Sequence, residues 1–326
     1  MSTNITISSR IMREIKNAIR NTQYDIMTGK EQFETVGSGL LVRAPAKINL
    51  SLLVAGQRAD GFHEIETIMA KVDLFDEILI QPGRKTGIEL LCEGPHWAPA
   101  GEDNLIHKAA QSLLDSCGRQ ANIKITLTKN IPAGSGLGSA SSDAAATLIG
   151  LNKYLDINLS NRRLAKLAAQ LGSDVAFFLN GPLAFCTGKG EKIEKINEIF
   201  NFTALLILPD VTVSTKRVYA NYEHEQSLYE SLNTRINSYI SKNRIDLAVK
   251  MCANMLEVSC FGLATGLAEL KAKIESLGIR PLCLSGSGSA MFCIIDNRDE
   301  RIARGMVRNL EEHINCECVI VSNNSW

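Results

Sequence analysis

The chain has 326 residues, 45% of them hydrophobic and 21% charged, and its 35 Lys+Arg balance 35 Asp+Glu. A net charge of zero argues against a general nucleic-acid binder, which usually needs a basic surplus, but leaves room for a local basic groove around a phosphorylated ligand. No apolar run approaches the roughly 18 residues that a membrane span needs, and the length suits two globular domains.

Residues 1–36 differ in character from the rest of the chain. Ile11 to Ile26 has some helical periodicity with basic Arg13, Lys16 and Arg20, whereas Glu14, Asp25, Glu31 and Glu34 count against a transit peptide. The expectation is a flexible or partly helical extension, with plastid import as the open alternative. Strands are then expected at 40–42, 48–54, 65–72, 77–80 and 88–92, where β-branched and apolar residues recur. Residues 104–117 read as an amphipathic helix, with Leu105, Ala109, Leu113 and Leu114 on one face. A strand at 123–129 leads into a glycine- and serine-rich stretch, and a helix is expected from Asp143. Further on come a helix at 164–171, a short apolar segment at 175–179, and strands at 183–186 and 204–208. Polar helical stretches near 226–240 and 244–256 precede a last unit: helix 264–277, strand 282–284, strand 290–295, helix 299–312 and strand 317–321. The pattern is α+β, with one domain over 37–195 and a second over 196–326.

The nine cysteines form no CxxC pair and sit in apolar contexts, so they read as reduced thiols of a cytoplasmic protein. Cys316 and Cys318 share a strand face but lack two further ligands for zinc.

Three glycine-rich elements could carry chemistry. Gly134-Ser-Gly-Leu-Gly138, followed by Ser139, Ser141 and Ser142, lies between a strand and an Ala-rich helix. Glycines let the backbone approach a ligand, and a helix start offers unpaired N–H groups and a positive dipole end. Together they suit a phosphate. No Lys-Ser or Lys-Thr follows the last glycine, so this is not a Walker loop, and the spacing is not GxGxxG. A plain strand-to-helix turn is the alternative. Leu284-Ser-Gly-Ser-Gly-Ser-Ala290 is weaker alone, and Gly181, Gly188 and Gly190 read as turns at strand ends. Lys47 and Asn49, two apart in a strand, share a face. Burying them costs desolvation unless an anion meets them. Asp174, ahead of Val-Ala-Phe-Phe, is either a helix cap or a catalytic carboxylate.

The order PAKINL from Pro45, PAGSGLGSASSDAA from Pro132 and LSGSGSAMF from Leu284 resembles the three motifs of the GHMP kinase superfamily. Within it, the stretches APAKINLSLLVAGQRADGFHEIETI, EDNLIHKAA, LGSDVAFFLNGPLAFCTGKGEKI and VSTKRVYANY resemble the family that phosphorylates the 2-hydroxyl of 4-diphosphocytidyl-2-C-methyl-D-erythritol with ATP. The resemblance spans about residues 40–325. It implies the two-domain GHMP kinase fold: an N-terminal βαβ-type ATP domain, a C-terminal ferredoxin-like α/β domain, and an active site in the cleft between them.

By motif, Asp174 would be the catalytic base, with Lys47 beside it to orient the hydroxyl. Pro132, Ala133, Gly134, Ser135, Gly136, Leu137, Gly138, Ser139, Ser141 and Ser142 would cradle the ATP phosphates, with Asn104 and Lys129 near the adenine. Asn49 would position the substrate, Phe62 and Tyr219 would sandwich the cytosine, and His63 would read its edge. Thr215 would touch the diphosphate or the erythritol, and Gly286 and Gly288 would close the cleft. The implied partners are ATP, Mg2+ (through a loop serine) and the cytidine substrate, with no nucleic acid or membrane, in a monomer or weak homodimer. Ser135, Ser139 and Ala140 stand where the family loop has glycines, and Ala176 replaces its proline. Two rival readings are a relative acting on another small alcohol and a silent nucleotide-sensing protein.

Overall fold

Glu34 and Thr35, inside the segment read as an extension, belong to a strand. β1 (Phe33–Val36) pairs antiparallel with the start of β2 (Gly39–Gln57) in the computed structural model, which describes residues 31–197, 200–295 and 299–326. The helical reading of 11–26 lies outside the described residues. The stretches 40–42 and 48–54, expected as two strands, are one: a register shift between Pro45 and Ala46 carries β2 past the proline. Proline is tolerated in a strand at such a bulge. β3 (His63–Pro82) likewise merges two expected strands, with its own irregularity opposite that proline.

The length of β3 lets it serve two neighbours. Its C-terminal half pairs with β5 (Asn122–Thr128), which runs parallel to β4 (Gly87–Glu93). Its N-terminal half pairs with β6 (Leu183–Gly188), which pairs in turn with β7 (Lys192–Lys195). The helices α1 (Leu105–Ser116), α2 (Ser139–Tyr154), α3 (Asn161–Leu171) and the single turn α4 (Val175–Phe178) pack on this sheet. Val42, Ile78, Ile80, Ile106, Leu113, Ile125, Leu148 and Phe177 fill the layer between and are fully buried. Each such side chain contributes about 1.5–3 kcal/mol of apolar burial.

Between Lys195 and Thr203 the chain passes to a second, antiparallel sheet. It is made of β8 (Thr203–Leu208), β9 (Cys283–Leu284), β10 (Met291–Ile295) and β11 (Glu317–Ser322), in the order β11-β8-β10-β9. Its helices are α5 (Thr215–Ala220), α6 (Gln226–Ser241), α7 (Ile245–Lys250), α8 (Glu257–Leu263), α9 (Thr265–Ser276) and α10 (Glu300–His313). The helix expected over 244–256 stops at Lys250, because the next residues pair with the first sheet. Leu52 N donates to Ala253 O at 2.7 Å and Met255 N to Leu52 O at 2.9 Å. Beside them Cys252 and Cys283 form a disulfide, with Cα atoms 5.2 Å apart. The expectation that every cysteine is reduced is therefore corrected for this pair. Among the described residues no helix is long and apolar enough to cross a membrane.

Candidate active site

A cavity of about 340 Å³ opens where the glycine-rich loops meet β2, and its walls come from β2, β3, α5 and the loop between β9 and β10. Its lining includes Lys47, Asn49, Asp174, Lys189, Thr215, Tyr219 and Gly286, together with most of the loop 132–141. Of the loop residues expected to cradle phosphates, Pro132, Ala133, Gly134, Ser135, Gly136, Gly138, Ser139 and Ser141 line it. Leu137 and Ser142 do not: both are fully buried in the interior. Gly138 caps α2 and has no side chain to bond the first-turn amides. Those N–H groups form an anion-binding end. The helix begins at Ser139, four residues before the expected Asp143.

The two glycine loops touch. Ser285 Oγ donates to Gly136 O at 3.1 Å and Ala290 N to Ser135 O at 2.9 Å. At Gly136 the backbone takes φ +80°, and a Cβ there would stand 2.1 Å from Ser285 O. Alanine would meet both the steric wall and the left-handed penalty. Gly136→Ala is expected to lower stability by about 1–3 kcal/mol, read as a lower midpoint in thermal or urea unfolding.

Lys47 is buried, and its Nζ donates to Asn49 Oδ1 at 2.5 Å and to Gly136 O at 2.8 Å. It stands 3.9 Å from Asp174 Oδ2. Burial pushes the Lys47 ammonium below its ordinary pKa, and Asp174 works against that shift. Asn49, expected to position substrate, spends its oxygen on Lys47 and its Nδ2 on Thr67 Oγ1 at 2.8 Å, so it orients the lysine. Asp174 holds the N-cap position of α4 yet makes no capping bond. Of its two sequence readings, the cap is the one the geometry lacks.

Lys129 and Asn104 are not on the cavity. Lys129 is buried beneath the loop, bonded to Asp76, to the Ser139 hydroxyl and, at 2.8 Å, to Asp143 Oδ2. Asp76 Oδ1 accepts from Asn130 N at 2.6 Å and Ile131 N at 2.8 Å, which fixes the chain as it leaves β5. Burial alone would lower the Lys129 pKa, but the two carboxylates raise it above its ordinary value. Asp143 is pushed well above the carboxylate range, by burial first and by Asp76 second. Asn104 caps α1 by accepting from Ile106 N at 2.9 Å, and donates to Pro99 O at 2.8 Å.

Of the three residues expected at the base, Tyr219 lines the cavity, whereas Phe62 and His63 are not in its lining. Tyr219, on α5, has its ring centroid 5.1 Å from that of His63, and burial raises its hydroxyl pKa. Burial lowers the His63 pKa, helped by His224, which favours the neutral imidazole. Phe62 is 56% exposed, and Lys189 Nζ lies 4.4 Å from its ring centroid. Thr215 Oγ1 is 2.8 Å from Ser287 Oγ. Gly286 lines the cavity, while Gly288 packs behind it toward Cys260. The sequence reading missed Lys189. Its signal was a lysine between Gly188 and Gly190, glycines that read only as turns. Among the described residues no cluster of three or more His, Cys, Asp or Glu could hold a metal ion.

Comparison with known proteins agrees with this arrangement. Residues 104–182 match the family described as GHMP kinases N terminal domain, and residues 236–312 match GHMP kinases C terminal. A Bacillus cereus (strain B4264) protein named 4-diphosphocytidyl-2-C-methyl-D-erythritol kinase is 38% identical over 272 residues, 82% of this chain and 92% of that one. A crystal structure of 4-(cytidine 5'-diphospho)-2C-methyl-D-erythritol kinase superposes with a TM-score of 0.68 at 28% identity, covering 87% of this chain and 100% of the other. Homoserine kinase from Cytophaga hutchinsonii shares the fold, with a TM-score of 0.68 at 20% identity over 91% of this chain and 98% of its own. The chain belongs to the 4-diphosphocytidyl-2-C-methyl-D-erythritol kinase family of the GHMP kinases.

Proposed function

We propose that the protein transfers the γ-phosphoryl group of ATP to the 2-hydroxyl of 4-diphosphocytidyl-2-C-methyl-D-erythritol. The products are the 2-phosphate and ADP, in the methylerythritol phosphate route to isoprenoid precursors. The observation that carries this reading is one cavity lined by the Lys47–Asp174 pair, the glycine loop and Tyr219 together.

Phosphoryl transfer asks mainly for positioning and charge stabilisation. The loop amides and the N-terminal end of α2 hold the phosphates. Asp174 takes the proton of the attacking hydroxyl, and Lys47 supplies positive charge beside it. Asn49 and Gly136 O fix that ammonium from behind. Phe62 and Tyr219 stack on the cytosine, and neutral His63 faces its edge.

Mg2+ fits the donor set at the loop, because it takes one or two protein oxygens and fills its other positions with phosphate and water. Ser141 lines the cavity and would supply one such oxygen, whereas the Ser139 hydroxyl is already bonded to Lys129. When bound, the ion neutralises phosphate charge.

The test is ADP release by purified protein with the cytidine substrate, set against homoserine, mevalonate and galactose. Release that depends on the cytidine substrate alone supports the reading, and release with another alcohol overturns the substrate. Tyr219→Ala is expected to raise KM for the cytidine substrate about tenfold with kcat little changed, since a base–aromatic stack is worth about 1–3 kcal/mol. An unchanged KM would remove Tyr219 from the base site.

A further inference from the structure

Lys71 is a fully buried lysine outside the cavity, 2% exposed. It is the cross-strand register partner of Lys47, so the two side chains leave the same face of the sheet. Its Nζ donates to Phe178 O at 3.0 Å and to Asn180 O at 2.7 Å. Phe178 is the last residue of α4, and Asp174 is its N-cap residue. The paired lysines thus bracket α4, Lys47 at its carboxylate end and Lys71 at its carbonyl end. A single helical turn does not hold itself together, and Asp174 adds no cap. Beyond its own backbone turn bonds, α4 is held by its packing, by the Asn180 Nδ2 bond to Ala176 O at 2.7 Å and by Lys71.

Among the described residues no carboxylate pairs with Lys71. Burial first, and Lys195 second, bring its pKa down to about 7. A buried amine with no counter-ion is costly, and a neutral amine offers two N–H groups to the two carbonyls it meets. A methyl-tipped chain would fill the same space more cheaply. The amine is therefore not explained by packing.

We propose that Lys71 is a positioning residue of the reaction, clamping the C-terminal end of α4 so that Asp174 is held against Lys47 at the other end. This rests on the assignment of Asp174 as the base. A displacement of about 1 Å at a reacting group can cost on the order of 100-fold.

The test is Lys71→Met, which keeps the length and removes both bonds. The expected result is a fall in kcat of roughly 10–100-fold. Both KM values should stay near wild type, the melting temperature should not drop, and amide exchange across 174–180 should quicken. Unchanged kcat with unchanged exchange overturns the proposal. So does a parallel loss of melting temperature, KM and kcat, which would mark Lys71 as structural only. Should Lys71→Met fail to fold, Lys71→Gln decides by the same split between kcat and KM. Should the wild-type chain not turn over the cytidine substrate, the proposed function fails and amide exchange alone decides the clamp: faster exchange in Lys71→Met supports it, and unchanged exchange overturns it.

Discussion

Asp174→Asn should lose at least about three decades of kcat, within the range that a positioned general base supplies, while melting near the wild-type temperature. The two halves of this expectation come from the same geometry. Asp174 stands at the start of α4 but gives that helix no capping bond. Its side chain is 35% exposed, and among the described residues its one ion pair is to Lys47 at 3.9 Å. An amide of the same shape therefore breaks little that the fold needs. It cannot accept the hydroxyl proton in a form that completes transfer. KM for ATP should hardly move, because the loop amides and α2 are untouched. Steady-state kinetics beside a thermal melt checks both halves. Rates near wild type would place the base elsewhere, and a joint loss of rate and stability would return Asp174 to a capping role.

Much of the site is legible in the sequence because its parts are local. The strand spacing of Lys47 and Asn49 and the glycines at 134, 136 and 138 each announce themselves within a few residues. The illegible parts depend on distant partners. Lys129 reads as a lysine at a strand end beside a nucleotide. Its partner Asp76 lies 53 residues away in sequence, and no local pattern shows that the two meet. Asn104 shows the opposite case: an Asn just before an apolar periodic run is a helix cap, a local signal that the family motif overshadows. The sequence pattern breaks β2 in two because Ala44-Pro45-Ala46 are poor strand formers, whereas burial on both faces and a bulge keep it whole. The Cys252–Cys283 pairing joins residues 31 apart across two elements, and spacing alone does not show it.

The serines that replace loop glycines have partners of their own. Ser135 Oγ donates to Pro132 O at 2.7 Å, inside the turn. Ser139 opens α2 and lends its hydroxyl to Lys129. The second substitution ties the loop to the buried charges beneath it, so the anion-binding end of α2 rests on Lys129, Asp76 and Asp143 together.

Lys129→Met should therefore be the most destabilising change away from the apolar core. It leaves Asp76 and Asp143 facing one another with no cation, both fully or nearly fully buried. Breaking a buried pair in this way costs about 3–5 kcal/mol. The pH dependence has a definite sign. Asp143 already has a folded-state pKa raised by burial and by Asp76, and loss of the ammonium raises it further. A carboxyl raised in the folded state binds more protons folded than unfolded. Its contribution is thus present below the ordinary carboxylate range and is lost as pH rises through the raised value. The deficit of Lys129→Met should be smaller near about pH 5 than near about pH 8 in urea unfolding, opposite to the loss of an ordinary surface ion pair. Adding Asp143→Asn should recover part of the loss at the higher pH, since the amide removes one of the two facing charges without changing the shape. An equal deficit at both pH values, with no recovery from the second change, would mean that Lys129 holds the loop by packing rather than by charge.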